Sequence, residues 1–578
     1  MTPTRLKWWL ATLVTVASAL IVATSFNPIP HSGGDNAGYV ALAHGLLTGS
    51  GYSDVFDPQG LPHTKYPPVF PGLLALMMAA GARTWVALKL SAAVPTVLAV
   101  LFTVLWAQRR VGALPGAAVA LLLASASGVV YYSQWVLSDP LFLALTMMSF
   151  WSLSVAVHES DEASGRTDGD VPEGSIASEV EVDIHRGWLA CAVLSAGLAY
   201  FTRSAGLPLV LAILAWLALD RRWKLLGGVG SALGLPMFAW WLRGRGEGVA
   251  QYGTEFWMID PYQPALGTIG IPGLVARILE NLSTYVLQHL PGGVVGNGAS
   301  GLALIGVTLT VVALAGWVLS TKERVGPAEI FFPLYAGLIL VWPAVWGGDR
   351  FALPLYPLAF LYAAVAIRMV AAKVPSPGGQ LIGVAALLVL LLPAGGNWMD
   401  GRQQTQECAT SVRENGPWAC YGSRVGYFVM AASWIREGLP ADAAVLTRKP
   451  RHFYALSGRL SRAFPFSELA QAQLDLADEI GARYILLDRW DGLATRYVGG
   501  AVRERPGAFC YVRGFGQPNE GGAQLLGILP PSDRARAGAS GETAVGISAC
   551  PSEYFNPGTS VEDYSSSGRI PLLEELDS

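Results

Sequence analysis

The chain has 578 residues, of which 52% are hydrophobic and 14% charged, and its mean hydropathy is +0.40. Soluble domains carry about 25% charged residues, so this composition excludes an ordinary soluble protein and predicts a polytopic membrane protein. The formal net charge of −3 argues neither for nor against an ionic partner, and the absence of a basic stripe with interleaved aromatic residues argues against nucleic-acid binding.

A helix crosses a bilayer with about 20 mostly apolar residues, and with fewer where it is broken or buried in protein. The sequence predicts eleven such spans, near residues 8–26, 85–107, 113–132, 137–157, 188–202, 205–220, 225–242, 301–320, 328–346, 351–371 and 379–395. An odd number of spans places the N-terminus and the C-terminal region on opposite faces of the membrane.

The distribution of Lys and Arg between the short connections sets the orientation. With the N-terminus inside, thirteen of these residues lie on the inner side and eight on the outer side. This bias favours a multi-pass protein of the plasma (inner) membrane with a cytoplasmic N-terminus and a periplasmic or extracellular C-terminal region. The first apolar run is long enough to span, which favours an uncleaved anchor over a signal peptide.

The first outer connection, residues 27–84, is the richest in polar chemistry. It carries Asp35, Tyr39, Lys65 and Tyr66 between two apolar spans. Polar groups at a membrane are costly unless they face water or a protein cavity, so this segment is a candidate site. A plain solvated loop is the alternative, and Asp35 alone, ahead of a run of period 3.6, is also typical of a helix cap.

Three further charged residues stand at predicted span ends. Asp139 opens the fourth span, where its alternative role is a helix cap before Pro140. Arg203 interrupts an apolar stretch, so it predicts either a functional cation, a buried ion pair or a side chain that reaches the interface. Arg350 follows Asp349, and a local ion pair is its alternative.

Two inserts interrupt the membrane pattern. Residues 158–186 carry nine acidic side chains with Gly, Ser and Pro, a composition that predicts a disordered inner loop. Residues 243–300 form a long outer loop, rich in aromatic residues, with a helix expected along the membrane surface.

The long apolar runs end at about residue 396, and the segments that follow predict a soluble α/β domain over 396–530. Strands are expected at 443–447, 483–488, 508–514 and 523–528, and a helix of period 3.6 ends at Gly481. The remainder, 531–578, is rich in Ser and Gly and predicts a flexible tail.

Four of the five cysteines lie in this C-terminal region, which is typical of an oxidising compartment. Four cysteines allow three pairings, and sequence does not choose between them. Proximity alone favours Cys408 with Cys420 and Cys510 with Cys550. No His/Cys spacing predicts a zinc site.

The order of the polar motifs is similar to a known pattern. The segments are GGDNAGYVALA (with Asp35 and Tyr39), HTKYPPVFPGLLAL (Lys65), YYSQWVLSDPLFLAL (Asp139), YFTRSAGLPLVLA (Arg203) and GGDRFALPLYPLAF (Arg350). Over roughly the first 370 residues, they resemble the GT-C superfamily of membrane glycosyltransferases. The greatest likeness is to bacterial relatives of protein O-mannosyltransferases and of the lipid A aminoarabinose transferase, glycosyltransferase family 39-like proteins.

The resemblance implies a GT-C-like transmembrane domain over 1–395 and assigns roles to these residues. Asp35 is the expected catalytic base and Asp139 a secondary site residue. Lys65, Arg203 and Arg350 are expected to hold the phosphate of a lipid carrier, since cations stabilise a leaving phosphate.

Two positions depart from the pattern. Protein mannosyltransferases carry an acidic pair where this chain has Asp35 and Asn36, and the aminoarabinose enzyme carries an acidic metal ligand where this chain has Thr64. No cofactor is therefore firmly implied, and a divalent metal stays an open alternative. Tyr39, Tyr66 and Trp135 are expected to line the pocket, although aromatic residues at this depth are also typical interface anchors.

The function predicted on this basis is transfer of a hexose or pentose from a polyprenyl-phosphate donor to an acceptor hydroxyl on the outer face, with inversion. The acceptor is a protein, a lipid or a glycan, and membrane lipids surround the spans. The alternatives are a transporter or lipid flippase, a membrane-anchored binding protein, and an oligosaccharide ligase or polymerase using a lipid-diphosphate donor. No paired internal repeat, the usual mark of a transporter, is evident.

Overall fold

The structure is a computed structural model that describes residues 2–157, 184–244, 252–373, 378–517, 520–539, 547–554 and 556. Among these residues, seven helices are long and apolar enough to cross a membrane: Pro3–Thr24, Trp85–Val111, Asp139–Ala156, Trp223–Arg243, Leu302–Glu323, Asp349–Ala371 and Gly383–Asn415. Four shorter helices correspond to the other predicted spans: Ala113–Ser125, Arg186–Thr202, Ser204–Leu219 and Pro327–Val341.

The helices that precede the C-terminal domain are numbered in chain order. They are α1 (Pro3–Thr24), α2 (Gly34–Leu47), α3 (Val69–Ala79), α4 (Trp85–Leu88), α5 (Leu90–Val111), α6 (Ala113–Ser125), α7 (Ser127–Tyr132), α8 (Asp139–Ala156), α9 (Arg186–Thr202), α10 (Leu207–Leu219), α11 (Trp223–Arg243), α12 (Tyr252–Trp257), α13 (Ile271–Thr284), α14 (Leu290–Val295), α15 (Leu302–Glu323), α16 (Pro327–Val341), α17 (Asp349–Ala352), α18 (Tyr356–Ala371), α19 (Gly378–Leu388) and α20 (Leu391–Asn415).

The membrane core is built around α5, which packs against α1, α6 and α8, while α8 packs against α9 and α15 against α18. Large apolar side chains such as Trp106, Phe142 and Phe331 are fully buried between these helices. Small residues allow the closest approaches: at Gly316 of α15 an added Cβ would collide with the backbone of Tyr362 in α18. In lipid there is no hydrophobic driving force between helices, so close van der Waals packing at small residues stabilises their association.

The first outer connection folds into two helices that carry a separate core. Tyr39 and Val40 of α2 and Phe70 of α3 are buried there. Tyr454 and Ala455, which lie far along the chain in the C-terminal domain, belong to the same cluster. The C-terminal domain therefore shares a hydrophobic core with residues 27–84 and is not merely tethered to the bundle.

The C-terminal domain contains a five-stranded sheet flanked by helices. Its strands are β1 (Val445–Leu446), β2 (Ser461–Arg462), β3 (Tyr484–Leu487), β4 (Phe509–Phe515) and β5 (Ala523–Ile528), in the order β2-β1-β3-β5-β4. Its helices are α21 (Ser423–Gly438), α22 (Pro450–Ser457), α23 (Ala470–Ile480), α24 (Leu493–Glu504) and α25 (Pro531–Ala539).

The sheet is mixed in direction. Strand β1 is parallel to both β2 and β3, whereas β5 is antiparallel to β3 and β4. Tyr484 pairs with Gly527 in the β3–β5 register. Each face of the sheet has its own core, one around Phe428 and Trp434 and the other around Leu446 and Ile485.

The structure corrects several predicted boundaries. The span predicted at 113–132 ends at Ser125, because Ala126 is extended and α7 starts a new helix. The predicted domain boundary at 396 falls inside α20, which runs without a break from the apolar bundle to Asn415. Strand β2 was not predicted, since two residues are too short to show a periodicity.

The flexible tail predicted over 531–578 is wrong for part of the described chain. Residues Pro531–Ala539 are helical, and Cys550 and Tyr554 are buried against the sheet. The Tyr554 hydroxyl donates to the carbonyl of Ile528 at 2.9 Å, which fixes this segment on β5. Residues 540–546 and 557–578, and 158–183 of the predicted disordered inner loop, lie outside the described residues.

Two disulfide bonds join the four C-terminal cysteines. Cys408 is bonded to Cys420 and Cys510 to Cys550, the pairing that proximity favours, while Cys191 is free. The first bond connects α20 to the turn that follows it. The second anchors residues 547–554 to β4, and Gly527 beneath it leaves room for both sulfur atoms, since a Cβ there would lie 2.6 Å from each.

We expect Cys550→Ser to lower the free energy of unfolding of the C-terminal domain more than Cys420→Ser does. The Cys510–Cys550 bond closes a loop with a sequence separation of 40, and the Cys408–Cys420 bond one of 12. The chain-entropy model then gives losses of about 4 and about 3 kcal/mol. Urea unfolding followed by tryptophan fluorescence measures both, and the reverse order would show that strain or residual structure dominates.

Candidate active site

Asp35 lies at the start of α2, where the chain turns back over the end of the bundle. The N-cap position is Gly33, two residues before Asp35. Its Oδ2 accepts a hydrogen bond from the Arg350 guanidinium at 2.8 Å, and its Oδ1 accepts one from the Tyr66 hydroxyl at 2.7 Å. The carboxylate is therefore committed to tertiary contacts, and the capping alternative does not describe it.

Asp139 is the first residue of α8 and connects two arginines. Its Oδ1 lies 2.7 Å from Arg203, and its Oδ2 accepts from Arg350 Nε at 2.9 Å. The preceding Ser138 adds a hydroxyl that contacts Tyr39 at 2.9 Å and accepts from Arg203 at 3.3 Å. Asp139 thus holds the two guanidinium groups side by side.

Both arginines stand at breaks in helices. Arg203 is extended, with φ −148°, between the end of α9 and the short 3₁₀ turn Ser204–Gly206 that leads into α10. Arg350 lies in α17, the short turn before α18. Charged side chains and irregular backbone are tolerated at membrane depth where they are buried in protein or line a cavity.

The four groups form one connected chain, Asp35–Arg350–Asp139–Arg203, with no net charge. The Asp139 side chain is 4% exposed, whereas the Asp35 side chain is 37% exposed. The exposed carboxylate is the one that an entering molecule reaches, and the buried one orients the arginines. The predicted local pair of Arg350 with Asp349 involves only the Arg350 backbone N–H, which donates to Asp349 at 3.0 Å.

The surroundings of Asp35 favour its ionised form. Burial acts to raise the pKa of this carboxyl, but the positive charge of Arg350 and the hydrogen bonds from Tyr66 and Arg350 outweigh burial and hold the pKa well below its usual range. In this arrangement Asp35 is an anion at any physiological pH. Tyr39, buried beside it, has its pKa raised to about 12 by burial and by the Asp35 charge, so it stays neutral.

Lys65 pairs with an acidic residue outside this group of four side chains. Its ammonium lies 3.6 Å from Glu255 of α12 and 5.2 Å from the centre of the Trp346 ring. Burial lowers the pKa of Lys65, and the Glu255 charge offsets part of that effect. The structure places Lys65 on the neighbouring wall, so the three predicted phosphate contacts divide into an arginine pair and a separate lysine.

The predicted aromatic residues occupy different positions around Asp35. Tyr66 contacts Asp35 directly, and Tyr39 packs against Tyr66 with ring centres 4.7 Å apart. Trp135 lies on another flank, where it contacts His31 at 4.6 Å between ring centres and the Lys89 ammonium at 4.6 Å. The structure therefore brings two of the three into one wall.

The sequence reasoning missed two residues that belong to this region. Glu255, the partner of Lys65, lies in a long loop whose fold no local pattern predicts. Arg451, at the start of α22, donates to the Tyr66 hydroxyl. Its signal was present, since the cationic run Arg448, Lys449, Arg451 follows directly on a predicted strand.

Metal binding has no evident ligand set here. Within the described ranges, no three His, Cys, Asp or Glu side chains lie close enough together to hold a metal ion. Both Asp139 oxygens face arginines, and the Asp35 oxygens face Arg350 and the Tyr66 hydroxyl.

No family model matches the chain, and no curated protein sequence matches it. Solved structures do match. The oligosaccharyltransferase of Archaeoglobus fulgidus, determined with a tethered acceptor peptide containing the NVT sequon, superposes with a TM-score of 0.52 at 15% identity, covering 89% of this chain and 74% of its own. ArnT from Cupriavidus metallidurans in the apo state superposes with a TM-score of 0.50 at 14% identity, covering 89% of this chain and 97% of its own.

These likenesses show the fold. The chain has the same fold as these two proteins, a polytopic bundle of membrane helices with a C-terminal α/β domain, so the fold class expected from the sequence is confirmed. The identities are too low to transfer an activity, which has to be argued from the site itself.

Proposed function

We propose that this protein is a glycosyltransferase that moves a sugar from a polyprenyl-phosphate donor to an acceptor hydroxyl, with inversion at the anomeric carbon. The observation that carries the proposal is the chain Asp35–Arg350–Asp139–Arg203, which places a partly exposed carboxylate against two arginines that share a second, buried carboxylate. A base and a phosphate-binding pair are the two groups that this transfer requires.

The reaction is balanced by these groups. The acceptor oxygen forms a bond to the anomeric carbon as its proton passes to the Asp35 carboxylate. The bond between that carbon and the phosphate oxygen breaks, and the prenyl phosphate leaves with the electron pair. Arg203 and Arg350 stabilise the leaving phosphate, and Lys65 approaches it from the neighbouring wall, because each interaction strengthens as negative charge develops.

Binding of the donor also makes Asp35 a better base. In the structure Arg350 donates to Asp35 and depresses the pKa of the carboxyl. A phosphate group competes for the same guanidinium, since arginine binds phosphate and carboxylate with the same fork of donors. When Arg350 turns to the phosphate, the pKa of Asp35 rises, and the carboxylate accepts the acceptor's proton more readily.

The site end of the bundle is proposed to face the outside of the plasma membrane, with the N-terminus in the cytoplasm. The C-terminal domain sits at this end, and its two disulfide bonds suit an oxidising compartment. The donor then enters from the outer leaflet, and the acceptor reaches Asp35 from the aqueous side. The transferred unit is a hexose or a pentose.

The test uses the purified full-length protein in lipid vesicles with labelled sugars on polyprenyl phosphate and, in parallel, labelled glycans on polyprenyl diphosphate. We expect transfer to an added acceptor from the monophosphate donor and an inverted anomeric product by NMR. Transfer only from the diphosphate donor would instead identify a ligase or polymerase. Donor that crosses sealed vesicles without any transfer would identify a flippase and overturn the proposal.

A further inference from the structure

The turn after β1 places a cationic segment of the C-terminal domain against the membrane-embedded site. In the sheet, β2 lies on one side of β1 and β3 lies on the other side. The strand order therefore changes direction between the neighbouring strands β1 and β3. In open sheets with parallel strands, the residues at the carboxyl ends of such strands are the ones that meet ligands. After β1 these residues are Thr447, Arg448, Lys449 and, opening α22, Arg451.

Arg451 connects this turn to the candidate base. Its guanidinium donates to the Tyr66 hydroxyl and lies 5.0 Å above the Tyr66 ring and 5.6 Å from the centre of the Phe56 ring. Tyr66 in turn donates to Asp35 at 2.7 Å. A phenol has a single O–H, so a donor placed on its oxygen leaves that one hydrogen for the carboxylate. Arg451 thereby sets the direction of the Tyr66 hydrogen bond.

The side chains around this contact are closely packed against α2. Gly38 lies one turn after Asp35 in α2, and a Cβ at this position would be 2.9 Å from Arg451 Cδ and 3.1 Å from Tyr66 Cε2. Helix α22, which contains Arg451, packs on α2, and Ala455 is buried in the shared core. Arg462 at the end of β2 donates to Asp57 at 2.6 Å, which holds the domain to the same outer connection.

We propose that Arg451 is a positioning residue that the C-terminal domain contributes to the active site, and that it acts on Asp35 through Tyr66. The inference rests on the proposed function for its catalytic meaning. The C-terminal domain then has a part in the chemistry itself, because the hydrogen bond to the base is correctly directed only when the domain is docked.

The proposal has a direct consequence for the titration of Asp35. The charged and titratable groups that face Asp35 are Arg350, Tyr66, Arg451, Tyr39, His31, Lys65 and Lys449. Without Arg451 the Tyr66 hydroxyl loses the donor that directs its hydrogen to Asp35, and one positive charge is lost near the carboxylate. Both changes raise the pKa of Asp35, so the acid limb of the transfer rate, which depends on the ionised base, moves to higher pH.

The experiment is a double-mutant cycle with Arg451→Gln, Tyr66→Phe and the combined variant. We expect Arg451→Gln to lower kcat/KM by about tenfold to a hundredfold, mainly through kcat, as for the loss of a charge-assisted hydrogen bond. In the Tyr66→Phe background the same substitution should cost little more, because Arg451 acts through Tyr66. Arg451→Lys, which keeps the charge, should recover part of the rate.

Arg496→Gln is the matched control. Arg496 also links the C-terminal domain to the outer loop 243–300, through Gln263 at 2.9 Å, but it does not contact Tyr66. If looser docking alone explained the effect of Arg451→Gln, Arg496→Gln would reproduce it. Equal losses in the two variants, or full multiplication of the Arg451→Gln and Tyr66→Phe losses, would overturn the proposal.

A second readout does not depend on transfer. Carbodiimides modify protonated carboxyls, so the pH midpoint of labelling at Asp35, measured by mass spectrometry, reports its titration. We expect the midpoint to rise in Arg451→Gln and in Tyr66→Phe and to stay unchanged in Arg496→Gln. An unchanged midpoint in Arg451→Gln disproves the positioning role. If the midpoint shifts but the unaltered protein transfers no sugar, the positioning role stands and only the proposed function is disproved.

Discussion

Asp35→Asn is expected to lower the rate of sugar transfer by about 10²–10⁴-fold, the range for losing a positioned general base. The amide cannot accept the acceptor's proton, yet it occupies the same volume and still accepts the hydrogen bond from Tyr66. Donor binding should therefore be retained or strengthened, because Arg350 loses an anionic competitor. The measurement is kcat with labelled donor, together with the dissociation constant of the donor.

Asp475→Asn serves as the control for this substitution. This substitution makes the same chemical change on the exposed face of α23. In the described structure, the Asp475 side chain accepts one hydrogen bond, from Gln471. Its transfer rate should equal that of the unaltered protein. A rate for Asp35→Asn within threefold of that value would remove Asp35 from the proton transfer and leave it as a partner of Arg350.

Arg350→Ala is expected to abolish measurable transfer, with a loss of about 10³-fold or more. Among the residues that the structure describes, Arg350 is the one that pairs with both carboxylates, so its removal separates Asp35 from Asp139 and takes away a donor to the proposed leaving phosphate. Arg350→Lys keeps a positive charge, but a single ammonium cannot make both contacts with the geometry of a fork. We expect this variant to retain weakened donor binding and a rate reduced by about 10²-fold.

The thermal midpoint separates chemistry from folding in these variants. Removing one partner of a buried ion pair costs about 3–5 kcal/mol, and Arg350, at 20% exposure, is not completely buried, so Arg350→Ala should cost less than that range. Arg483→Ala removes an exposed arginine that pairs with Glu553 and lies 4.7 Å from the centre of the Tyr554 ring, so it should leave the rate unchanged and lower the stability by about 1 kcal/mol or less. Transfer by Arg350→Ala at the unaltered rate would exclude the arginine pair from the phosphate site.

Much of the architecture could be predicted because long apolar runs leave few alternatives in a membrane. The five polar motifs stand at span ends, and alternating spans bring such ends to one side, which is why Asp35, Asp139, Arg203 and Arg350 could be expected on one face. Their pairing could not be predicted. The bond from Arg350 to Asp35 joins residues 315 positions apart, and its existence depends on how α2 folds back over the bundle.

The parts that escaped prediction share a physical cause, which is docking between distant segments. Lys65 is drawn to Glu255, and nothing near either residue in the chain indicates the other. The contact of Arg451 could not be predicted for the same reason, since its partner Tyr66 lies 385 positions earlier in the chain. Helix boundaries followed local rules more closely, as at Gly481, which ends α23 in a left-handed conformation with φ +68°.

The shared core between α22 and the first outer connection restricts how the protein can open. If the C-terminal domain rotated away from residues 27–84, water would reach Tyr454 and Ala455, and the buried ion pair of Asp57 and Arg462 would separate. Both events cost free energy, which disfavours rotation of the domain about a hinge at residue 396. Helix α20 also runs through residue 396 without a break. Under the proposed function, the lipid-bound sugar and its acceptor therefore have to reach Asp35 while the C-terminal domain stays docked.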